Sequence, residues 1–255
     1  MNITGNTILI TGGGSGIGRA LAEAFHSLGN KVIIAGRRRQ ALDETTAANP
    51  GMASIQLNIE DPVDIQSVAT QLSKDHPTLN TVIHNAGIMR PENLLAPNLA
   101  DSEATIATNL LGPIRLTAAL LPQLEKQPSA AILTVSSGLA FIPMAVTPTY
   151  CATKAAIHSW SQSLRYQLKS TKVQIIEIAP PYVQTELMGS AQASDPRAMP
   201  LKDFIAEVIQ ILKTQPNATE VLVERVKPLR FAEAAGPEKY TAFFNQFNDA
   251  MNHPH

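Results

Sequence analysis

The chain has 255 residues, 44% hydrophobic and 16% charged, with a formal net charge of −1. That is enough apolar material for one sizeable core, and 1–255 reads as one domain. No basic stripe is present to neutralise a phosphate backbone, which excludes nucleic acid as the expected partner. A single cysteine, Cys151, excludes an internal disulfide framework and fits a reducing compartment.

In chain order, the first strand is expected at Thr7 to Thr11, followed by Thr11-Gly12-Gly13-Gly14-Ser15-Gly16-Ile17-Gly18 and a helix over Ile17 to Leu28. The strict G-x-G-x-x-G pattern fails here, since Ile17 stands where its last glycine would fall. The spacing is instead Gly12-x-x-x-Gly16-x-Gly18. Glycine permits a tight turn and close backbone approach, and a helix opening there offers free N–H groups to a pyrophosphate. A nucleotide is the expected ligand.

The second strand, Lys31 to Gly36, runs into Arg37-Arg38-Arg39. An acidic residue at such a strand end would hold a ribose 2′-hydroxyl. No carboxylate follows directly here, and guanidinium groups suit a 2′-phosphate, with Arg37 as the leading contact. Further strands are expected at Ala53 to Asn58, Thr81 to Asn85, Ala130 to Ser136, Val173 to Ala179 and Glu220 to Val223. Helices are expected at Asp61 to Lys74, Leu99 to Glu125 and Tyr150 to Lys169. This alternation predicts an α/β fold, a Rossmann-type doubly wound parallel sheet of about seven strands with helices on both faces.

Two stretches stand apart. Residues 180–200, rich in Pro, Met and Ser, leave a strand C-terminal end, where ligands bind in open α/β sheets. They read as a substrate loop that orders on binding. In residues 237–251, apolar side chains recur at 240, 243, 244, 247 and 251, the spacing of an amphipathic helix. Its sticky face is expected to cover its own domain, a neighbouring subunit or the active-site mouth. The longest apolar stretch, Ala130 to Val146, is too polar and too short to span a bilayer, and the N-terminus does not read as a signal peptide. A cytoplasmic protein is expected.

The chemistry concentrates in Tyr150-Cys151-Ala152-Thr153-Lys154. A phenol titrates near pKa of about 10, and an ammonium one helical turn away favours its ionised form, which makes Tyr150 a candidate proton donor and acceptor. Ser137 lies just upstream at a strand end, Asn85-Ala86-Gly87 ends another strand, and Asn109 falls between them. With these motifs in order, the sequence resembles the short-chain dehydrogenase/reductase family from Thr7 to about Thr185.

The resemblance implies oxidoreductase chemistry between a carbonyl and an alcohol. Tyr150 would be the general acid/base, Lys154 would hold the nicotinamide ribose and depress the tyrosine pKa, Ser137 would bond the substrate oxygen, and Asn109 would keep a proton relay. Gly12, Ser15, Gly16, Ile17, Gly18, Arg37, Asn58, Ile59, Asn85, Ala86, Gly87, Pro180 and Thr185 would contact the cofactor beside Tyr150 and Lys154. NADP(H) is preferred, with NAD(H) as the alternative, and no metal is expected. A homodimer or homotetramer acting on an apolar small-molecule substrate completes the expectation.

Departures from the family pattern are Pro180-Pro181 where Pro-Gly is common, Asn58 for aspartate, and His84 for the first asparagine of Asn-Asn-Ala-Gly. The double proline resembles a small bacterial branch associated with D-alanylation loci. His84 is expected to be buried and hydrogen-bonded, Cys151 to be packed, Trp160 to lie in the core or a subunit interface, and His253 and His255 to be a frayed tail. A nucleotide-sugar epimerase or dehydratase, and an NADP-binding regulator without turnover, are the rival readings.

Overall fold

The computed structural model describes residues 1–252, which place seven parallel strands in one sheet, ordered β3-β2-β1-β4-β5-β6-β7. The strands are β1 (Thr7–Thr11), β2 (Lys31–Gly36), β3 (Ala53–Gln56), β4 (Thr81–His84), β5 (Ala130–Val135), β6 (Val173–Ile178) and β7 (Glu220–Val221). Around them lie α1 (Gly16–Ser27), α2 (Arg39–Ala48), α3 (Pro62–Asp75), α4 (Leu99–Ile106), α5 (Gly112–Leu124), α6 (Pro148–Gln167), α7 (Ser190–Ser194), α8 (Leu201–Thr214), α9 (Lys227–Arg230) and α10 (Pro237–Asn252). The expected doubly wound architecture is therefore present. His253 and His255 lie outside the described residues.

Strand side chains alternate between two cores. Ile8 and Ile10 meet Leu21 and Phe25 of α1 and Phe204 and Val208 of α8 on one face. Leu9 faces the opposite way, among Ile65 and Val68 of α3 and Leu116 and Leu120 of α5. Each such side chain contributes about 1.5–3 kcal/mol on burial.

The structure differs from the sequence expectation in several places. Predicted strands overrun the sheet by one or two residues at their C-terminal ends, where the chain turns away to build the site. Helices α2, α7, α8 and α9 were not expected. Helix α2 carries no apolar stripe, burying only Leu42 and Thr45. Helix α8 does have the signal, since Phe204, Ile205, Val208 and Leu212 follow a three-and-four spacing. The single helix expected over Leu99 to Glu125 is interrupted by a π-turn at Ala107–Leu111. That run, Leu99–Leu124, has the length and hydropathy of a membrane-crossing helix, with a mean hydropathy of 1.3. Leu116, Leu120 and Leu124 are nevertheless fully buried in the protein core.

His84 is buried, as expected. Its Nε2 lies 2.7 Å from Thr117 Oγ1, its ring is edge-on to Trp160 at 6.4 Å, and burial lowers its pKa from 6.5 to about 3. The partly buried Trp160 thus packs on this core. Between those two pH values the unfolded chain binds a proton that the folded chain refuses. The stability His84 permits is whole above pH 6.5 and is lost as pH falls toward about 3. Urea unfolding from pH 7 to 4 is expected to show wild type losing about 1.4 kcal/mol per pH unit more than His84→Asn. Parallel stability curves for the two proteins would exclude His84 as the cause.

Candidate active site

A cavity of about 910 Å³ opens at the C-terminal ends of the central strands, and both halves of the sequence pattern meet in it. Gly12, Ser15, Gly16 and Ile17 line one end. Gly12 and Gly16 have φ of +70° and +54°, the left-handed region that glycine tolerates. The first turn of α1 carries no acidic residue and Ser15 makes no side-chain cap, so its backbone donors are left for an anion. Gly18 does not line the cavity. A Cβ there would sit 2.3 Å from both Gly12 O and Asn85 Nδ2, so this glycine lets α1 close against the end of β4.

The arginine segment lies at the same end but is partnered differently from the sequence expectation. Arg37 Nη1 donates to Glu60 Oε1 at 2.8 Å, so a carboxylate does reach this strand end, brought by the loop before α3. Glu60 Oε1 also accepts from Thr108 at 2.8 Å. Arg38 Nη2 donates to Ser15 Oγ at 2.8 Å, joining the arginines to the glycine turn. Both Arg37 and Arg38 line the cavity, as do Leu57 and Ile59. Asn58 does not: it is exposed, and its Oδ1 accepts from the N–H of Glu60 at 3.2 Å.

Beyond β4, Asn85 is held by Thr11, with its amide donating to Thr11 O at 3.0 Å, and Ala86 and Gly87 continue along the cavity wall. Asn109 stands behind this wall rather than on it. The π-turn aims its side chain at Ile88, accepting from Ile88 N and donating to Ile88 O, each at 2.9 Å. Its Nδ2 also reaches Thr153 at 3.2 Å, which ties this wall to α6. π-turns of this kind re-aim single side chains inside helices.

Ser137, Tyr150 and Lys154 all line the cavity and all are buried. Ser137 also caps the short turn after β5, accepting from Leu139 N at 3.1 Å. Burial pushes the Tyr150 phenol above its usual value, while a hydrogen bond with Ser137 pulls the other way. Burial lowers Lys154 from 10.5 to about 8, opposed by Glu177. Desolvation, and not the lysine charge, therefore sets the direction of the tyrosine shift. Lys154 Nζ donates to Val135 O at 2.8 Å and lies 5.5 Å from the Tyr150 ring centroid.

Two supports were not read from the sequence. Glu92 accepts from Thr149 N at 2.9 Å, Thr149 Oγ1 at 2.7 Å and Ser102 Oγ at 2.9 Å, fixing the first turn of the helix that carries Tyr150. Burial alone would raise the Glu92 carboxyl, but these bonds hold it below its ordinary value. Asn248 of α10 accepts from Ala145 N at 2.6 Å and donates to Pro143 O at 3.2 Å. An isolated Asn in a polar helix gives no signal of either contact.

Residues 180–200 are already folded, with a bridge between Val183 and Met199 and with α7. Pro180 O accepts from Gly138 N at 2.8 Å, which fastens the double proline beside the Ser137 turn. Thr185 lines the cavity over Gly16. Helix α10 lies across the mouth of the cavity: Phe247 packs on Met89, Met144, Tyr150 and Cys151, and Phe247 and Met251 line the cavity. Cys151 is buried and its thiol is pushed up by that burial, in keeping with packing.

The family profile described as short chain dehydrogenase matches residues 6–196. The chain belongs to this family. It is 39% identical to the uncharacterized oxidoreductase DltE of Bacillus subtilis (strain 168) over 99% of this chain and 100% of that one. That similarity agrees with the branch suggested by the double proline. The fold is shared with a short chain dehydrogenase from Burkholderia cenocepacia J2315 in complex with NADP, at TM-score 0.82 and 22% identity, covering 96% of this chain and 99% of that one. It is shared as well with a short chain dehydrogenase/reductase from Burkholderia phymatum in complex with NAD, at TM-score 0.80 and 19% identity, covering 92% and 95%. The protein is an oxidoreductase of the short-chain family.

Proposed function

We propose that the protein is an NADP(H)-dependent oxidoreductase that interconverts an apolar carbonyl compound and its alcohol. The reading is carried by one observation: Ser137, Tyr150 and Lys154 stand in the same cavity as an anion-binding glycine turn bordered by Ser15 and Arg38. The residues present fit a nicotinamide dinucleotide. The open first turn of α1 suits its pyrophosphate, and no side chain projects from Gly87 into the space between Asn109 and Lys154. Bound there, the dinucleotide supplies or accepts the hydride.

In this reading Ser137 donates to the substrate oxygen and holds it beside the phenol. Tyr150 gives its proton to that oxygen during reduction and takes it back during oxidation. Lys154 keeps a positive charge near the developing oxyanion and holds the ribose. Leu139, Met144, Val146, Phe247 and Met251 give the substrate end an apolar lining that excludes water. This lining favours an apolar carbonyl over a nucleotide sugar, and the retained proton donor favours an enzyme over a regulator. The test is NADPH oxidation, followed at the nicotinamide absorbance band, against a panel of aldehydes and ketones. Turnover of apolar members supports the reading, and preference for small acidic substrates overturns it.

Preference for NADP rests on Arg37 and Arg38, each able to make charge-assisted bonds worth about 1.5–3 kcal/mol to a 2′-phosphate. Arg37→Asp and Arg38→Asp are each expected to weaken NADPH by about tenfold or more while changing NADH by less than about threefold, read by fluorescence titration. Tighter binding of NADH than NADPH by wild type would reduce the arginines to a solvated face. A cytoplasmic homodimer or homotetramer is the proposed setting. The exposed Leu95, Leu99 and Ile106 on and beside α4 support a subunit contact there, which sedimentation velocity would check.

A further inference from the structure

Behind the catalytic helix lies a charged chain that the proposed reaction does not use. Glu177 on β6 is 1% exposed, and its Oε1 has no hydrogen-bond partner among the described residues. Its Oε2 lies 2.8 Å from His158 Nδ1, which also stands 3.9 Å from Glu220 Oε1. Glu220 is gripped by Arg230 of α9, with Nη2 at 3.0 Å from Oε1 and Nε at 3.1 Å from Oε2. On the far side of the ring, Gln162 Nε2 donates to His158 Nε2 at 3.0 Å. Both ring nitrogens of His158 are thus engaged, Nδ1 by Glu177 and Nε2 by Gln162, which fixes the ring against the carboxylate. The three ligand-type groups could converge on a cation, but Arg230 already takes both oxygens of Glu220.

The cation that Glu177 answers is Lys154. Lys154 and His158 are four residues apart on α6 and so lie on one helix face. Across the sheet, Glu177 is the register partner of Thr134, and partnered residues project from the same face. Thr134 Oγ1 lies 2.8 Å from Ser161 of α6, which identifies that face as the one under the catalytic helix. Lys154 Nζ bonds the carbonyl of Val135, the residue after Thr134. Ammonium and carboxylate are therefore buried at neighbouring levels of the same sheet face. A buried oxyanion with one oxygen unpaired is sustained by a nearby opposite charge rather than by hydrogen bonds alone.

We infer that Glu177 is a positioning residue, the buried counter-charge of Lys154, held in place by His158 and through Glu220 by Arg230. The inference rests on the reading of Lys154 as part of the catalytic machinery. The ionisable groups facing Lys154 are Tyr150 and His158 from its own helix and Glu177 from β6, with Glu220 of β7 and Arg230 of α9 behind them. Burial draws Lys154 down to about 8, and Glu177 is the charge that opposes the fall.

The test uses the full-length protein with isotope-labelled lysine, whose side-chain resonances are followed by NMR through a pH titration and assigned with Lys154→Arg. Lys154 is expected to titrate near 8 in wild type and lower by about one unit or more in Glu177→Gln. An unchanged titration in folded Glu177→Gln overturns the inference. Should that variant not fold, His158→Phe is read in the same way. Loss of the Nδ1 partner frees the Glu177 side chain to turn away from Lys154, so Lys154 again titrates lower, and an unchanged value again overturns the inference. NADPH fluorescence titration on the same samples separates the two readings. Failure of wild type to bind NADPH removes the cofactor assignment, while the lysine titration still decides the role of Glu177.

Discussion

Tyr150→Phe is expected to lose about three orders of magnitude in kcat/KM for NADPH-dependent carbonyl reduction, about 4 kcal/mol of transition-state stabilisation, while folding and binding NADPH like wild type. Only the hydroxyl is deleted. The ring keeps its place among Met89, Met144 and Cys151, so packing is preserved. The size of the effect follows from the geometry. Burial holds the phenol in its neutral form across the working pH range, so a proton is present to give, and Ser137 orients it. Kinetics within about tenfold of wild type, a difference of only about 1.4 kcal/mol, would remove Tyr150 from this role. Lys154→Met offers a comparison, because it keeps the phenol and removes the charge beside it.

Local chemistry made much of the site legible. Gly12 and Gly16 are needed for their own positive φ, and Tyr150 and Lys154 are joined by one helical turn. The parallel sheet follows from strands alternating with helices, since parallel strands need crossovers. What escaped was contact between residues far apart in sequence. Glu60 reaches Arg37 across 23 positions, Glu92 reaches Thr149 across 57, and Asn248 reaches Ala145 across 103. None of these pairs leaves a periodic trace, because each depends on a loop conformation that tertiary packing selects. The π-turn at Asn109 was hidden for a different reason: its apolar pattern continues the helices on either side, so periodicity reads straight through it. Helix α8 is the opposite case, with Phe204, Ile205, Val208 and Leu212 at a spacing that is plain in the sequence.

The tail shows sequence periodicity and site geometry acting together. Apolar spacing announced a helix with one sticky face, and the structure sets that face against the same chain, across the cavity mouth. Phe247 joins the cluster holding Tyr150 and Cys151, Asn248 pins the segment 143–145 that follows the Ser137 turn, and Tyr240 donates to Phe141 O at 3.1 Å. Deleting residues 237–255 removes one large apolar side chain from a buried cluster and three hydrogen bonds to residues 141–145. Together these contribute about 3 kcal/mol or more. A chain of this size is then expected to melt about 10 °C lower. The cavity would also open to water at its substrate end. Carbonyl reduction should therefore fall by about tenfold or more in kcat/KM, with NADPH affinity changed less, because the glycine turn and the arginines lie at the other end. Phe247→Ala separates the two effects, since it opens the mouth but keeps the Asn248 clamp. A truncated protein with the melting temperature and kinetics of the full chain would show that α10 neither braces the catalytic turn nor shields the substrate.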